Sequence, residues 1–344
     1  MVDGYFERLS KAPPGVQVQQ LIAAYQMSQA IRVAAELSIA DLLADGPKPS
    51  AKLAEVTGSH PRALYRLLRA LAGVGIFTEV EPEKFALTPM AEVLRADAPA
   101  SLRGSATYGC SDLPWRSWGR LDHSVRTGQP AFEHLFGMDP WEYRAQDPQF
   151  AASFNAAVTS TVNQMANAIA EAYDFSGFDT IVDVGGNHGA LLIAILRANP
   201  MQRGVVFDLP YVAEGAHEPL QSAGLLDRCA VVSGDMFENV PAGGDAYLFS
   251  RVIHDWDDEQ SVAALANCRR VMKPQGKLLL AEDVIPPGDT PSYGKQTDLA
   301  MLVLIKGQER TEAEYRALYE AAGFTLTRII PTRSRISIIE GEPI

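Results

Sequence analysis

The second half of the chain is punctuated by short apolar runs: "TIVDV" from Thr180, "GVVFDLP" from Gly204, "CAVVSGD" from Cys229, "AYLFSRVI" from Ala246 and "KLLLAEDV" from Lys277, with helical stretches between them. Runs apolar on both faces must be covered on both faces, and a parallel sheet sandwiched by helices does this. The last two runs, "FTLTRIIPT" from Phe324 and "RISIIEGE" from Arg335, are separated by a short turn with no room for a helix, so they are expected to pair as an antiparallel hairpin at the sheet edge. The expected fold class is α/β, a doubly wound, mostly parallel sheet whose last strand is reversed.

At 344 residues the chain has room for more than this sheet. From Val16 to about Asp97 it reads as short helices: "VQQLIAAYQMSQAIRVAAEL" carries an apolar stripe, Ser50 is expected to cap "AKLAEVTG", and Pro61 opens "RALYRLLRALAGVG" where its missing N–H is harmless. "IFTEVEPEKFALTP" then alternates on either side of a polar turn, as a hairpin does. Helices followed by a hairpin are the order of a winged helix. The expected boundaries are residues 1–100 for this domain, 101–172 for a helical linker rich in large side chains, and 173–344 for the sheet domain. In the linker, Trp115, Phe132, Phe136, Trp141, Phe150 and Phe154 place more aromatic surface than a connecting core requires, which suggests a pocket wall.

Forty-two acidic against thirty basic residues give a net charge of -12, so the molecule as a whole repels polyanions. Residues 1–100 hold ten Lys and Arg against eleven Asp and Glu, which argues against a DNA-binding regulator even though Arg62, Arg66 and Arg69 lie at helical spacing. Those arginines read more simply as a solvated helix face. Three scattered cysteines, Cys110, Cys229 and Cys268, indicate neither a disulfide framework nor a zinc site. With no membrane-spanning apolar run and no leader pattern at the N-terminus, neither nucleic acid nor membrane is an expected partner, and a cytoplasmic location fits.

In an open parallel sheet the ligand lies beyond the carboxyl ends of the strands, where the first strand's loop must approach it closely. Gly185, Gly186 and Gly189 in "IVDVGGNHGALL" allow that approach, but the spacing is not that of a pyrophosphate loop, and no triphosphate cradle is present. Asp208, about 20 residues further on, ends the second strand where an acid accepts from ribose hydroxyls. In "SGDMF", Asp235 and Met236 fall beside the position of a base. The combination suits an adenosine that carries something other than phosphates. Asn187 lies within this turn, and Asn tolerates positive φ better than most residues; His188 reads as a loop residue.

The ordered motifs "VDVGGNHG", "VVFDLP", "SGDMF", "SRVIHDWDDE", "LLLAEDVIPP" and "GQERTEAEY" resemble those of class I S-adenosylmethionine-dependent small-molecule O-methyltransferases. This family includes plant caffeate and flavonoid enzymes, acetylserotonin methyltransferase and bacterial secondary-metabolite enzymes, and the likeness covers nearly the whole chain. It implies a seven-stranded Rossmann-like sheet, a winged-helix domain that forms a homodimer, and S-adenosyl-L-methionine as cofactor without a metal. It assigns Asp183, Gly185, Gly186, Gly189, Asp208, Leu209, Asp235, Met236, Ser250, Arg251 and Trp256 to the cofactor. Ser250 stands where plant members carry a lysine. The substrate pocket receives Trp115, Phe132, Phe136, Trp141, Phe150, Phe154, Met165, Asp298 and Met301, facing an aromatic acceptor.

His254 follows the fourth run and therefore emerges at the cofactor's edge of the sheet. A phenol with a pKa of about 10 holds its proton at neutral pH, and an imidazole near 6.5 is a suitable base for it. A carboxylate on the far ring nitrogen would fix the tautomer. Glu309 is expected in that role with Glu282 as a second flank, because Thr311 and Glu314 already form the capping box of the following helix and leave Glu309 free. The reading is O-methylation of a phenolic secondary metabolite; N-methylation or hydroxylation by the same cofactor is the alternative.

Overall fold

The structure is a computed structural model that describes residues 9–99 and 101–344. Its contacts fall into two units, one reaching to Trp115 and including Ala156–Thr161, the other comprising Arg116–Asn155 and Val162–Ile344. Among the described residues no helix is long and apolar enough to cross a membrane.

In the first unit a long helix, Pro14–Glu36, starts with proline in its first turn. Strand β1 (Lys48–Pro49) leads into helix Ser50–Thr57, and helix Pro61–Gly73 buries Leu64, Leu68 and Leu71, one face at helical spacing. Strands β2 (Phe77–Glu81) and β3 (Lys84–Leu87) form the expected hairpin, and β1 joins it in the order β1-β3-β2. Leu53, Leu68, Leu71, Phe77 and Phe85 form the core. One expectation fails: Ser50 is not a cap. Pro49 takes the N-cap position, and the Ser50 amide instead donates to the carbonyl of Glu83 at 2.8 Å, which fastens the helix start to the hairpin turn. Arg62, Arg66 and Arg69 are exposed, and Arg62 and Arg69 lie over the Tyr65 ring. They form a solvated face, as their spacing suggests.

The second unit is built on seven strands. They are β4 (Thr180–Val184), β5 (Arg203–Asp208), β6 (Cys229–Ser233), β7 (Ala246–Ser250) and β8 (Lys277–Glu282), followed after two short strands, β9 (Val284–Ile285) and β10 (Arg310–Thr311), by β11 (Phe324–Pro331) and β12 (Ser337–Pro343). The order is β11-β12-β8-β7-β4-β5-β6. All neighbours are parallel except β12, which runs against both β8 and β11. The reversed strand is therefore inserted inside the sheet, and β11 forms the edge. Chain order runs outward from β4 through β5 to β6 on one side and from β7 to β8 on the other, so the switch point lies between β4 and β7. The two loops that follow these strands meet there: a Cβ on Gly185 would come within 2.7 Å of Val252.

The middle of the sheet is buried on both faces: Tyr247, Phe249, Leu278 and Leu280 pack on one face against helix residues Leu265, Tyr315 and Tyr319, and Leu248 and Leu279 are buried on the other. Tyr319 donates from its hydroxyl to the Ile339 carbonyl at 2.7 Å, laying its ring over β12. Only a residue without a Cβ fits beneath that ring, and Gly341 stands there. Gly341→Ala is expected to destabilise the protein by about 3 kcal/mol through overpacking, read as a lowered Tm. An unchanged Tm would show that the ring is not held against the strand.

Candidate active site

The loop after β4 folds back sharply. Gly185, Asn187 and Gly189 all have positive φ, at 70°, 48° and 76°, and helix Ala190–Ala198 follows directly. Gly185 and Gly186 donate their amides to the Phe207 carbonyl, and the Asn187 side chain accepts from the His188 amide at 2.8 Å. Asn187 thus occupies the left-handed region and supplies its own turn bond. His188 packs its ring on Gly215.

Two acids lie under this loop. Asp208 accepts from the amides of Asn187 at 2.8 Å and Leu209 at 2.7 Å, and burial pushes its pKa up to about 6. Asp183 is fully buried below Gly186, and its Oδ1 has no hydrogen-bond partner. Burial, reinforced by Asp208, pushes Asp183 up to about 7. The orphaned Asp183 oxygen suits a cationic group of a ligand and Asp208 suits ribose hydroxyls, and the glycine cradle gives such a ligand room.

Beyond β6, Asp235 Oδ1 accepts from the Phe237 amide, and Asn267 donates to the Met236 carbonyl, which leaves the half-buried Met236 side chain against the core. Trp256 lies between Trp141, stacked at 5.3 Å, and Phe237, edge-on at 4.8 Å. Ser250 ends β7 with its hydroxyl buried and without a partner.

His254 sits in a single turn of helix, Ile253–Asp255. Several tethers hold this turn. Glu282 Oε1 accepts from the amides of Val252 at 3.1 Å and Ile253 at 2.9 Å. The buried Arg310 donates to the carbonyls of Ile253 and Trp256. The loop carrying Glu309 docks by its backbone, with the Gln308 amide on the His254 carbonyl at 2.9 Å and Gly307 passing so close that a Cβ would collide with that oxygen. The Glu309 amide donates to Asp298 at 3.0 Å.

The result is a buried imidazole with a carboxylate on each side. Nδ1 lies 2.9 Å from Glu309 Oε1, and Nε2 lies 3.3 Å from Asp255 Oδ1. The same Glu309 oxygen accepts from Arg251 at 2.8 Å. Burial acts against the Glu309 charge, but His254 and Arg251 outweigh it and hold its pKa down to about 2. On His254, burial and Arg251 oppose protonation, and Asp255, Glu309 and Glu282 overcome them, so its pKa is raised. Burial pushes Glu282 up to about 7. His254, Glu282 and Glu309 each bring a ligand atom within 4.8 Å of the others, a grouping able to hold a metal ion. The Arg251 guanidinium on Glu309 opposes that use, because it already occupies the acid with positive charge.

The structure sorts the expected residues. His254, Glu309 and Glu282 come together, although Glu282 reaches the histidine through its backbone neighbours. Arg251 departs from expectation: its guanidinium turns to Glu309 and to Asp283, at 2.7 Å, and is not free for a cofactor. Trp141 and Phe154 meet edge-on at 6.1 Å, with the buried Arg144 over both rings. Phe132, Phe136 and Phe150 cluster with Tyr143, and Phe132 is fully buried, so this group is aromatic core. Met165 and Met301 are buried, and Asp298 holds the Glu309 loop. Trp115 belongs to the first unit, where it packs on Tyr25. A cleft of about 270 Å³ lies beside Trp141 and Trp256, lined also by Met138, Asp255 and Ile305. Sequence reasoning missed Asp283, Arg310 and Arg335, whose partners lie on separate elements, and gave no role to Asp255, which faces its neighbour His254; only the position of Asp283 directly after β8 gave any signal.

An O-methyltransferase domain profile matches residues 118–325, and an O-methyltransferase dimerisation domain profile matches residues 19–97. A phenazine O-methyltransferase from Lysobacter antibioticus is 46% identical over 337 residues, 98% of each chain. An 8-amino-8-demethylriboflavin N,N-dimethyltransferase from Streptomyces davaonensis is 38% identical, covering 92% of this chain and 93% of that one. The crystal structure of an O-methyltransferase from neocarzinostatin biosynthesis, in complex with S-adenosylmethionine and 2-hydroxy-5-methyl naphthoic acid, matches with a TM-score of 0.78 at 36% identity over 92% of this chain and 96% of that one.

Because Asn187 stands at positive φ, Asn187→Gly is expected to keep affinity for S-adenosylhomocysteine within about threefold. Asn187→Val, which resists that conformation by about 1–2 kcal/mol, is expected to weaken it about tenfold. Calorimetric titration checks both, and equal losses would make the Asn187 side chain itself a ligand.

Proposed function

This chain belongs to the O-methyltransferase family, and we propose that it moves a methyl group from S-adenosylmethionine to a hydroxyl of an aromatic small molecule of secondary metabolism, with His254 as general base. The observation that carries this reading is the buried His254 with Nδ1 on an ionised Glu309 at 2.9 Å. A carboxylate there keeps the proton on Nδ1, which leaves the lone pair of Nε2 for the acceptor and stabilises the imidazolium that forms.

S-adenosylmethionine supplies an electrophilic methyl carbon on a sulfonium. The chain's task is to hold the acceptor oxygen in line with that carbon and to remove its proton, and good alignment alone is worth on the order of 7–11 kcal/mol. Asp255 Oδ1 faces Nε2 at 3.3 Å; an ionised carboxylate only accepts, so it leaves the Nε2 lone pair to the acceptor hydroxyl and attracts the imidazolium that forms. Trp141 and Phe154, which meet edge-on beside Arg144, form the aromatic wall on which an acceptor ring is buried. Asp183 faces the cofactor's positive charges, Asp208 at the end of β5 accepts from its ribose hydroxyls, Gly185, Gly186 and Gly189 give its backbone approach, and Asp235, Met236 and Trp256 flank its base. No metal enters this reading, because Arg251 supplies positive charge where an ion would have to sit.

The first unit serves as a homodimer interface in this reading. Val18, Leu21, Ile22 and Tyr25 form an exposed apolar stripe at helical spacing, with Leu21 and Ile22 each 70% exposed, and such a stripe on a long helix calls for a partner. The double variant Leu21→Glu, Ile22→Lys is expected to sediment as a monomer where the parent is a dimer; identical sedimentation would reject this helix as the interface.

For the chemistry, labelled S-adenosylmethionine offered with a panel of phenols and aryl amines is expected to label oxygen. His254→Ala is expected to lower kcat by about 10²–10⁴-fold while leaving S-adenosylhomocysteine affinity near that of the parent. Labelling of nitrogen alone would move the enzyme to the N-methylating relatives, and an equal loss of binding would reduce the histidine to a structural role.

A further inference from the structure

Arg251 is the residue that the expected cofactor contacts leave unexplained. It stands immediately after β7 at φ 58°, a left-handed conformation that residues with a Cβ adopt rarely, and its amide donates to the Ala281 carbonyl at 3.1 Å. This turn sends the side chain inward. One nitrogen, Nη1, donates both to Glu309 Oε1 at 2.8 Å and to Asp283 Oδ2 at 2.7 Å. Arg335, at the start of the chain's last strand region and half-buried, donates to that same Asp283 oxygen at 2.7 Å. Single atoms therefore link Arg335, Asp283, Arg251, Glu309 and His254 in a line of alternating charge that ends on Nδ1 of the imidazole.

We propose that Arg251 is a positioning residue that sets the basicity of His254, by sharing the Glu309 oxygen that His254 uses and placing a fixed positive charge behind it, with Asp283 and Arg335 holding its guanidinium in place. The inference rests on the role of His254 as base. Without Arg251 the imidazole would face acids alone: Glu309 from the docked loop, Asp255 from its own turn and Glu282 from the end of β8. With Arg251 gone, burial alone would oppose the pull of Asp255, Glu309 and Glu282 toward the protonated form, and a protonated imidazole takes no proton from an acceptor. The remaining charged and titratable groups around this cluster are Asp298 behind the Glu309 amide, Arg144 toward Asp255, and Tyr315 toward Glu282 and Glu309. None of them bonds to the oxygen that His254 and Arg251 share. Among the described residues Arg251 is the one guanidinium or ammonium bonded to it.

The sign follows from the charge. Removing the guanidinium raises the pKa of His254, so the neutral imidazole appears only at higher pH. The test is the titration of His254 itself, followed by NMR in the full-length protein carrying ring-labelled histidine, with the resonance assigned among the six histidines by His254→Gln. Arg251→Gln is expected to raise the midpoint by about one pH unit or more. Arg251→Lys, which keeps a charge, is expected to restore at least half of that shift. Arg335→Gln leaves the half-exposed end of the line empty and is expected to raise the midpoint by about 0.3 units or more; it decides the matter if Arg251→Gln does not fold by its melting curve. Midpoints that stay at the parent value in the folded variants overturn the proposal. The acid limb of the kcat profile separates the two readings. It moves with the NMR midpoint if His254 is the base, and if it stays fixed while the midpoint moves, Arg251 tunes a histidine that is not the base.

Discussion

The carboxylate of Glu309 is the constraint on which the site depends. It is buried, ionised and shared, with Oε1 bound at once by His254 Nδ1 and Arg251 Nη1. A buried carboxylate is unfavourable unless its charge is matched and its lone pairs are used. The chain matches the charge at Oε1 by bringing the end of β7, the turn after it and the loop before β10 to one point, while Oε2 stays buried without a hydrogen-bond partner among the described residues. Gly307 permits the contact, Asp298 and Gln308 fix the loop, and Arg310 clamps the turn. The orientation of the imidazole follows from that one oxygen.

The cofactor side of the same sheet edge is built on the opposite imbalance. Asp183 and Asp208 are raised by burial, and among the described residues no cation is bonded to either. One half of the site thus pairs its acid at Glu309 with cations of the chain, while the other leaves its two acids unpaired with any described cation. The switch point between β4 and β7 makes the two halves neighbours, with Gly185 against Val252. A methyl donor and a proton acceptor placed on these halves would face each other across the crevice.

Much of this was legible in the chain. The strands of the sheet announced themselves as apolar runs because each is covered on both faces, and the glycine loop and His254 were placed by following strand ends. Strands β1, β9 and β10 are two residues long, too short to carry any periodicity. The insertion of β12 between β8 and β11 leaves no local mark either, since hairpin and edge patterns look alike. The site was legible where position along a strand determines it, as for His254 and Asp208. It was not legible where pairing across distant elements determines it, as for Arg251 with Asp283 and Glu309. The aromatic linker shows the same limit. Phe132 and Trp141 look alike in sequence, yet one is sealed into a ring cluster and the other lies flat on Trp256.

If His254 removes the acceptor's proton, its importance must depend on whether there is a proton to remove. The most direct test measures kcat for the parent and His254→Ala on a series of phenols of falling pKa, ending with one fully ionised at the assay pH. The deficit of the variant is expected to shrink steadily along the series, to less than about tenfold for the ionised phenol. A deficit that stays constant across the series would contradict proton removal by His254 and leave it a role in alignment alone.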